Sequence, residues 1–296
     1  MDTNVCAPRK VGSTTNGCFD KEALIRIAED YNKKYPQKKI IYKPNIAPAQ
    51  LWDLIRDSLA EKCGDDELCW VDQEFMKRDV DIQKYYKPIK PAGQTQWLAT
   101  SDINNVLKQY EQKYDDFSFM GTVPIDFATI IEEYKNMDFC SLYKGKGLHL
   151  RNKTTYNNKP IRRFGFVFNL DPHDQRGSHW VSMFLDLTCK TPFIGYFDSY
   201  GFVPIPKEID EFMDGLILAV KNCIRMTITK RINTIRHQHK NTECGVYSLY
   251  FVYNCLIGRT FDDITEDIIL DDAVNKWRDR FFRPRSDFGD NSNDNL

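Results

Sequence analysis

The run CGVYSLYFVYNCLIG, from Cys244 to Gly258, constrains this chain more than any other segment. Wound as a helix it is apolar around almost its whole circumference, and such a helix has to be covered on every side. It falls short of the roughly 20 apolar residues that cross a bilayer, as does every other stretch, so it reads as a helix buried in a protein core. The covering material is legible upstream. Short aromatic and β-branched runs, RFGFVFNL, HWVSMFLDL and PFIGYFDSYG, are separated by the turn-rich DPHDQRGS and TCKT and predict adjacent strands of one sheet. A helix over about Lys207–Asn222, the strand-like IRMTITKRINTI and a last helix over roughly Thr265–Phe282 complete the C-terminal half.

Helical spacing also marks the N-terminal third. In KEALIRIAEDYNKKY the positions Leu24, Ile25, Ile27, Ala28 and Tyr31 share a face, and QLWDLIRDSLAEKC repeats the pattern with Leu51, Leu54, Ile55 and Leu59. The Pro- and Lys-rich YYKPIKPAGQ that follows disfavours helix and predicts a linker. Beyond it, Ser101 or Asp102 caps a helix carrying Ile103, Val106, Leu107 and Tyr110, and a short helix is expected over Pro124–Tyr134. The expected organisation is a flexible leader (1–20), an N-terminal helical arm (21–90), an α/β catalytic core (91–283) and an acidic, Asn-rich disordered tail (284–296).

Composition narrows the function. With 42% hydrophobic and 13% aromatic residues, global disorder is excluded, and a net charge of −1 excludes the broad basic field of a dedicated nucleic-acid binder. Five lysines between Lys33 and Lys43 read first as a solvated face and second as a patch for nucleic acid or acidic partners. Nine cysteines at irregular spacing, with no apolar signal segment at the N-terminus, predict an intracellular protein with reduced thiols, no secretion and no membrane contact.

The chemistry concentrates on four residues. Cys244 opens the apolar helix, where the positive end of the helix dipole favours a thiolate. His179 opens a strand after a Gly-Ser turn, at a sheet edge suited to a general base, and Asp198 ends the next strand, placed to accept from the imidazole and fix its tautomer. Gln238, six residues before Cys244, supplies a side-chain amide that can join the Cys244 backbone N–H in an oxyanion hole. Gly245 is expected to let substrate approach closely. Each residue alone has a bland reading: a buried small thiol, a hydrogen-bonded structural histidine, a turn-forming Asp, an uninformative Gln. Metal binding by His237, His239 and Cys244 lacks a fourth ligand, so no metal is expected. Cys63 and Cys69 read as a buried pair at a helix corner beside Trp70 rather than a zinc site.

Taken jointly, GSHWVSMFLDL, YFDSYG and RHQHKNTECGVYSLYF resemble the His-Trp, Asp, Gln-(five residues)-Cys-Gly signature of the ubiquitin-like-protein (SUMO) peptidases and adenovirus-type maturation proteases. The order His, Asp, Gln, Cys separates this group from papain-type enzymes, which place Cys before His. WLATSDINNVLKQYE and NTECGVYSLYF are similar to segments of the polyprotein-processing cysteine proteases of large double-stranded DNA viruses, of African swine fever virus type. The resemblance implies a papain-like α/β core in which a central mixed sheet is flanked by helices. It implies His179 as base, Asp198 as orienting acid, Gln238 as oxyanion donor, Cys244 as nucleophile, and Trp180 supporting the site and shaping the substrate cleft. It further implies no cofactor, and cleavage after Gly-Gly in viral capsid or core polyproteins, in the host cytoplasm (virus factory) and virion. Deconjugation of SUMO- or ubiquitin-like modifiers is the alternative activity, and an inactive relative serving as a virion binding or structural protein is the alternative of another class. Nucleic acid is a lesser expected partner, through the lysine-rich arm, and the oligomeric state is left open.

Overall fold

The computed structural model describes residues 5–8, 17–76, 80–93, 95–144 and 160–284, which fall into two units, Met1–Lys90 with Phe281–Leu296, and Pro91–Arg280. Among the described residues no helix is long and apolar enough to cross a membrane.

In the first unit α1 (Lys21–Lys34) starts at Asp20, whose carboxylate accepts from Ala23 N at 2.9 Å and so satisfies one of the open N–H groups of the first turn. It buries Ala23, Leu24, Ile27, Ala28 and Tyr31, close to the expected face. The second helix, α2 (Pro48–Cys63), buries Leu51, Trp52, Ile55 and Leu59, with Trp52 inside where Leu54 was expected. Two short helices, α3 (Glu67–Asp72) and α4 (Val80–Gln83), bring Trp70, Val71 and Ile82 to the same core as Phe19 and Tyr86. Of the lysine cluster, Lys33 pairs with Asp30 at 2.7 Å and Lys34 with Glu74 at 3.2 Å, while Lys38, Lys39 and Lys43 are exposed.

Of the leader expected to be flexible, residues 5–8 and 17–20 are described, and these are tied into the fold. Lys87 N donates to Val5 O and Ala7 N to Tyr85 O, both at 2.9 Å, and Cys6 is bonded to Cys18. The core boundary at 283 also moves. Lys90 N donates to Arg283 O at 2.8 Å and Arg283 N to Pro88 O at 2.9 Å, so Phe281 to Arg283 join the first unit through backbone pairing that no hydropathy pattern announces. Apart from Pro284, the expected acidic tail lies outside the described residues.

Six thiols that were expected to be reduced are paired: Cys6 with Cys18, Cys63 with Cys69, and Cys140 with Cys223. The Cys63–Cys69 bond joins the end of α2 to α3 across the intervening turn, at the helix corner anticipated for this pair. Cys189, Cys244 and Cys255 are free thiols.

The second unit is built on a five-stranded sheet in the order β1 (Phe117–Pro124), β2 (Arg163–Asn169), β3 (Trp180–Asp186), β4 (Phe193–Phe197), β5 (Thr229–Ile232). Pairing is parallel at both edges and antiparallel in the centre, which makes the sheet mixed as expected. Alternation along the strands sorts residues to two faces. Phe164, Phe166, Phe168, Val181, Met183, Leu185, Ile194 and Tyr196 share one core with Ile209, Met213, Leu216 and Val220 of α9 (Lys207–Ile224). The opposite face carries α10 (Cys244–Leu256), all of whose residues are buried. Small residues make room there. A Cβ on Gly195 would stand 2.6 Å from the ring of Phe261, and Phe197 stacks on Phe251 of α10 with centroids 5.0 Å apart.

Three expectations are corrected. The stretch before Pro124 is a strand, β1, and the helix expected over Pro124–Tyr134 is two single turns, α6 (Phe127–Ile130) and α7 (Glu132–Lys135), followed by α8 (Phe139–Tyr143). The β1–β2 register breaks between Phe119 and Thr122, and α5 (Thr100–Lys113) supplies the lost partners: Glu111 accepts from Phe119 N at 2.8 Å and Asn104 from Thr122 N at 3.0 Å. The N-cap of α5 is Ala99, and Asp102 accepts from its N–H at 2.8 Å. Finally, the long last helix is three pieces, α11 (Phe261–Glu266), α12 (Asp271–Asn275) and α13 (Arg278–Phe281), because Ile269 and Asp271 bond α10 and the loop that precedes it. Tyr247 Oη donates to Ile269 O at 2.9 Å, and Asp271 accepts from His239 N at 2.9 Å and Lys240 N at 3.1 Å.

Candidate active site

Antiparallel pairing of β3 with β4 sets Ser182 opposite Phe197, so the residues just before β3 and just after β4 meet at one end of the sheet. These are His179 and Asp198. His179 Nε2 donates to Asp198 Oδ1 at 2.7 Å, with both residues buried. Cys244, the first residue of α10, lies close enough to the imidazole to act on its proton affinity. Burial works against a charge on His179, but the bond to Asp198 and the nearby Cys244 outweigh it and raise the imidazole to about 9. The sequence placed these three side chains in separate elements, and the fold brings them together at one end of the sheet.

Asp198 is itself held on both sides of its backbone. Asn233, the residue after β5, accepts from Asp198 N at 2.8 Å and donates to Asp198 O at 2.9 Å, continuing the β4–β5 pairing with a side chain. Tyr200 N also donates to Asp198 Oδ1, at 2.9 Å. Neither partner stood out in the sequence: Asn233 is the one break in a strand-like run, and Tyr200 sits in a string that reads as a turn.

Gln238 is fully buried and joined to the site through Ser199. Ser199 Oγ donates to Gln238 Oε1 at 2.6 Å, and Gln238 Nε2 donates to Lys240 O at 2.7 Å, which leaves the second N–H of that amide. The flanking histidines do not form a metal site. His237 accepts from Ile269 N at Nδ1 (3.3 Å) and donates from Nε2 to Thr265 O (3.1 Å), so both nitrogens serve backbone groups, and burial depresses its proton affinity. His239 is exposed, and no cluster of metal-ligating side chains occurs among the described residues.

Residues 140–288, half of the chain, match the C-terminal catalytic domain of the Ulp1 protease family. The chain belongs to this family. It is similar to the R355 protein of Acanthamoeba polyphaga mimivirus, by name a thiol protease, at 29% identity over 95% of this chain and 93% of that protein. It is also similar to a cysteine protease of African swine fever virus, at 27% identity over 72% of this chain and 78% of that protein. A crystal structure of the African swine fever virus protease superposes with a TM-score of 0.66 over 96% of this chain and 97% of that one; at 23% identity the likeness speaks to the fold alone. As a Ulp1-family member the chain is a cysteine peptidase acting on protein substrates.

In this Ulp1-family site Trp180 donates from Nε1 to Leu98 O at 2.9 Å and lines a cleft of about 510 Å³ with Trp97, Leu98, Thr122, Asn169 and Arg176. At Gly245 the structure shows a packing reason for glycine. A Cβ built there would stand 2.9 Å from Leu98 Cβ, so the missing side chain admits Leu98, the residue that Trp180 holds. Overpacking of this kind costs about 1–3 kcal/mol, against at most about 1 kcal/mol from better helix propensity. Gly245→Ala is therefore expected to lower the melting temperature by about 2–4 °C per kcal/mol of net loss, read by calorimetry. An unchanged melting point would show that Leu98 shifts freely.

Proposed function

We propose that this chain is an endopeptidase that cleaves viral capsid or core polyproteins after Gly-Gly, with Cys244 as nucleophile, His179 as general base and acid, Asp198 as the group that orients it, and Gln238 as an oxyanion donor. The observation that carries the reading is the buried imidazole of His179, bonded to Asp198 and raised by both Asp198 and Cys244. His179 takes the thiol proton, and the thiolate sulfur bonds to the scissile carbonyl carbon. The carbonyl oxygen, now an oxyanion, is met by the Cys244 N–H at the open first turn of α10 and by the second N–H of Gln238 Nε2. Collapse breaks the C–N bond as imidazolium delivers its proton to the leaving amine. Water, deprotonated by His179, then attacks the thioester and releases the acid and the thiol.

The Gly-Gly preference supposes that substrate enters the cleft lined by the bulky side chains of Trp97, Leu98 and Trp180. The proposed setting, which rests on the polyprotein reading, is the virus factory in host cytoplasm and the virion. The exposed Lys38, Lys39 and Lys43 are the residues offered for nucleic-acid contact. A second reading, removal of a ubiquitin-like modifier, is favoured by the name SUMO-1 cysteine protease carried by a relative from African swine fever virus.

Purified full-length protein incubated with peptides containing Gly-Gly-Xaa is expected to cut after the second glycine. Replacing either glycine by leucine is expected to slow cleavage at least about tenfold, the effect of ~1.4 kcal/mol at the transition state. Equal rates for the leucine peptides would remove the Gly-Gly assignment. Labelling by a modifier-based active-site probe, with no cleavage of any short peptide, would select the deconjugase.

A further inference from the structure

Tyr200 meets the catalytic imidazole in a way that the reaction scheme above does not use. Its ring lies against that of His179, with centroids 4.8 Å apart and planes inclined by 31°. Four other contacts hold it there. Its backbone N–H donates to Asp198 Oδ1 at 2.9 Å, the same oxygen that accepts from His179, and its hydroxyl donates to Lys240 O at 3.1 Å in the loop before Cys244. The guanidinium of Arg236 stands 5.3 Å from its ring centre, fixed by a 2.7 Å bond from Nε to Gln238 O. Phe202 stacks on it at 5.2 Å and carries the aromatic ladder outward, 60% exposed.

The face of a phenol ring attracts a cation, whereas a neutral imidazole gains little beyond dispersion from the same contact. We propose that Tyr200 is a positioning residue of the peptidase: its ring clamps His179 in plane for Cys244 and favours the imidazolium over the neutral imidazole. The inference rests on the His179–Cys244 assignment of the preceding section. The charged and titratable groups around this contact are Asp198 and Cys244, which favour imidazolium, Arg236, which opposes it through the shared ring, and the more distant Asp271.

A ring that only filled space would, when removed, scale activity at every pH alike. A ring that stabilises imidazolium acts on one limb, because only the alkaline side of the kcat/KM profile reports loss of that proton from the free enzyme. The test compares Tyr200→Leu and Tyr200→Phe in the full chain, cutting a Gly-Gly peptide between pH 5 and 10. The expected result for Tyr200→Leu is an alkaline limb lowered by about half to one pH unit, an unmoved acid limb, and kcat about three- to tenfold down with KM within twofold. Tyr200→Phe is expected to keep the parental profile. An unmoved alkaline limb in Tyr200→Leu, or the same loss in Tyr200→Phe, overturns the proposal. Should Tyr200→Leu fold poorly, Tyr200→Trp decides: its larger π face is expected to hold or raise the limb, and a lowered limb refutes the role. Failure of the catalytic assignment itself reads out separately, as cleavage that survives Cys244→Ala.

Discussion

Cys244→Ala is expected to abolish peptide cleavage, lowering kcat by at least about 10⁴-fold, since removing the nucleophile of a coupled catalytic set costs about as much as removing the whole set. The fold is expected to survive. The side chain loses one sulfur at the first position of α10, and the residues that seat this helix, among them Phe251 against Phe197, are untouched. The same variant is expected to change His179. Cys244 is one of the groups that raise the imidazole, so without the thiol the proton leaves at a lower pH. Histidine NMR titration of Cys244→Ala reads that fall, and peptide turnover reads the first. Retention of cleavage above a hundredth of the parental rate would give the nucleophile's role to another thiol, with Cys189 the partly exposed candidate.

Asp198→Ala is expected to cost roughly 10³-fold or more in kcat, in line with the loss seen when the orienting acid of such sets is removed. Its pH signature is as informative as its size. Asp198 provides the largest of the contributions that raise His179 to about 9, so the alkaline limb of activity is expected near pH 9 in the parent and closer to neutrality in the variant. Stability moves with it. A histidine whose folded-state pKa lies above its unfolded value of 6.5 lends stability that is fully present below pH 6.5 and lost as pH rises through about 9. The gap in denaturant midpoint between parent and Asp198→Ala is therefore expected to be wider at pH 6 than at pH 10. Asp198→Asn separates charge from geometry, because a neutral amide oxygen can still accept from Nε2 while its attraction for imidazolium is gone. Equal pH profiles for all three proteins would mean that Asp198 does not govern the imidazole.

The sequence made the centre of the sheet and the seat of the nucleophile legible, because both rest on hydrophobic pattern. Strands β2, β3 and β4 are short aromatic and apolar runs buried on both faces, and α10 is buried on all sides. Elements whose reasons lie elsewhere in the chain were misread. Strand β1 carries a register break that α5 completes with Glu111 and Asn104, so its own residues do not read as a continuous strand. The last helix is interrupted because His237, Tyr247 and the loop ahead of Cys244 draw on its backbone and on Asp271. Within the site, His179, Asp198 and Cys244 could be nominated from residue type and order. The packing reason for Gly245 was not legible, because a glycine after a nucleophile says nothing about Leu98. Asn233 and Tyr200 were invisible for a related reason: one acts across 35 residues of sequence on the backbone of Asp198, and the other acts through a ring face that no spacing rule records.

The hydrogen bonds that tie Pro88 and Lys90 to Arg283 give the chain the topology of a guest inserted into a host. The polypeptide leaves the first unit at Lys90 and rejoins it at Phe281, so the host is written in two pieces that need one another. Trimming the protein from its amino end to isolate the peptidase would orphan the returning segment, leaving the now buried Phe282 without its host and an unpaired backbone edge prone to pair with other chains. A faithful excision has to cut at both seams, near Pro91 and Arg280, and splice nothing else.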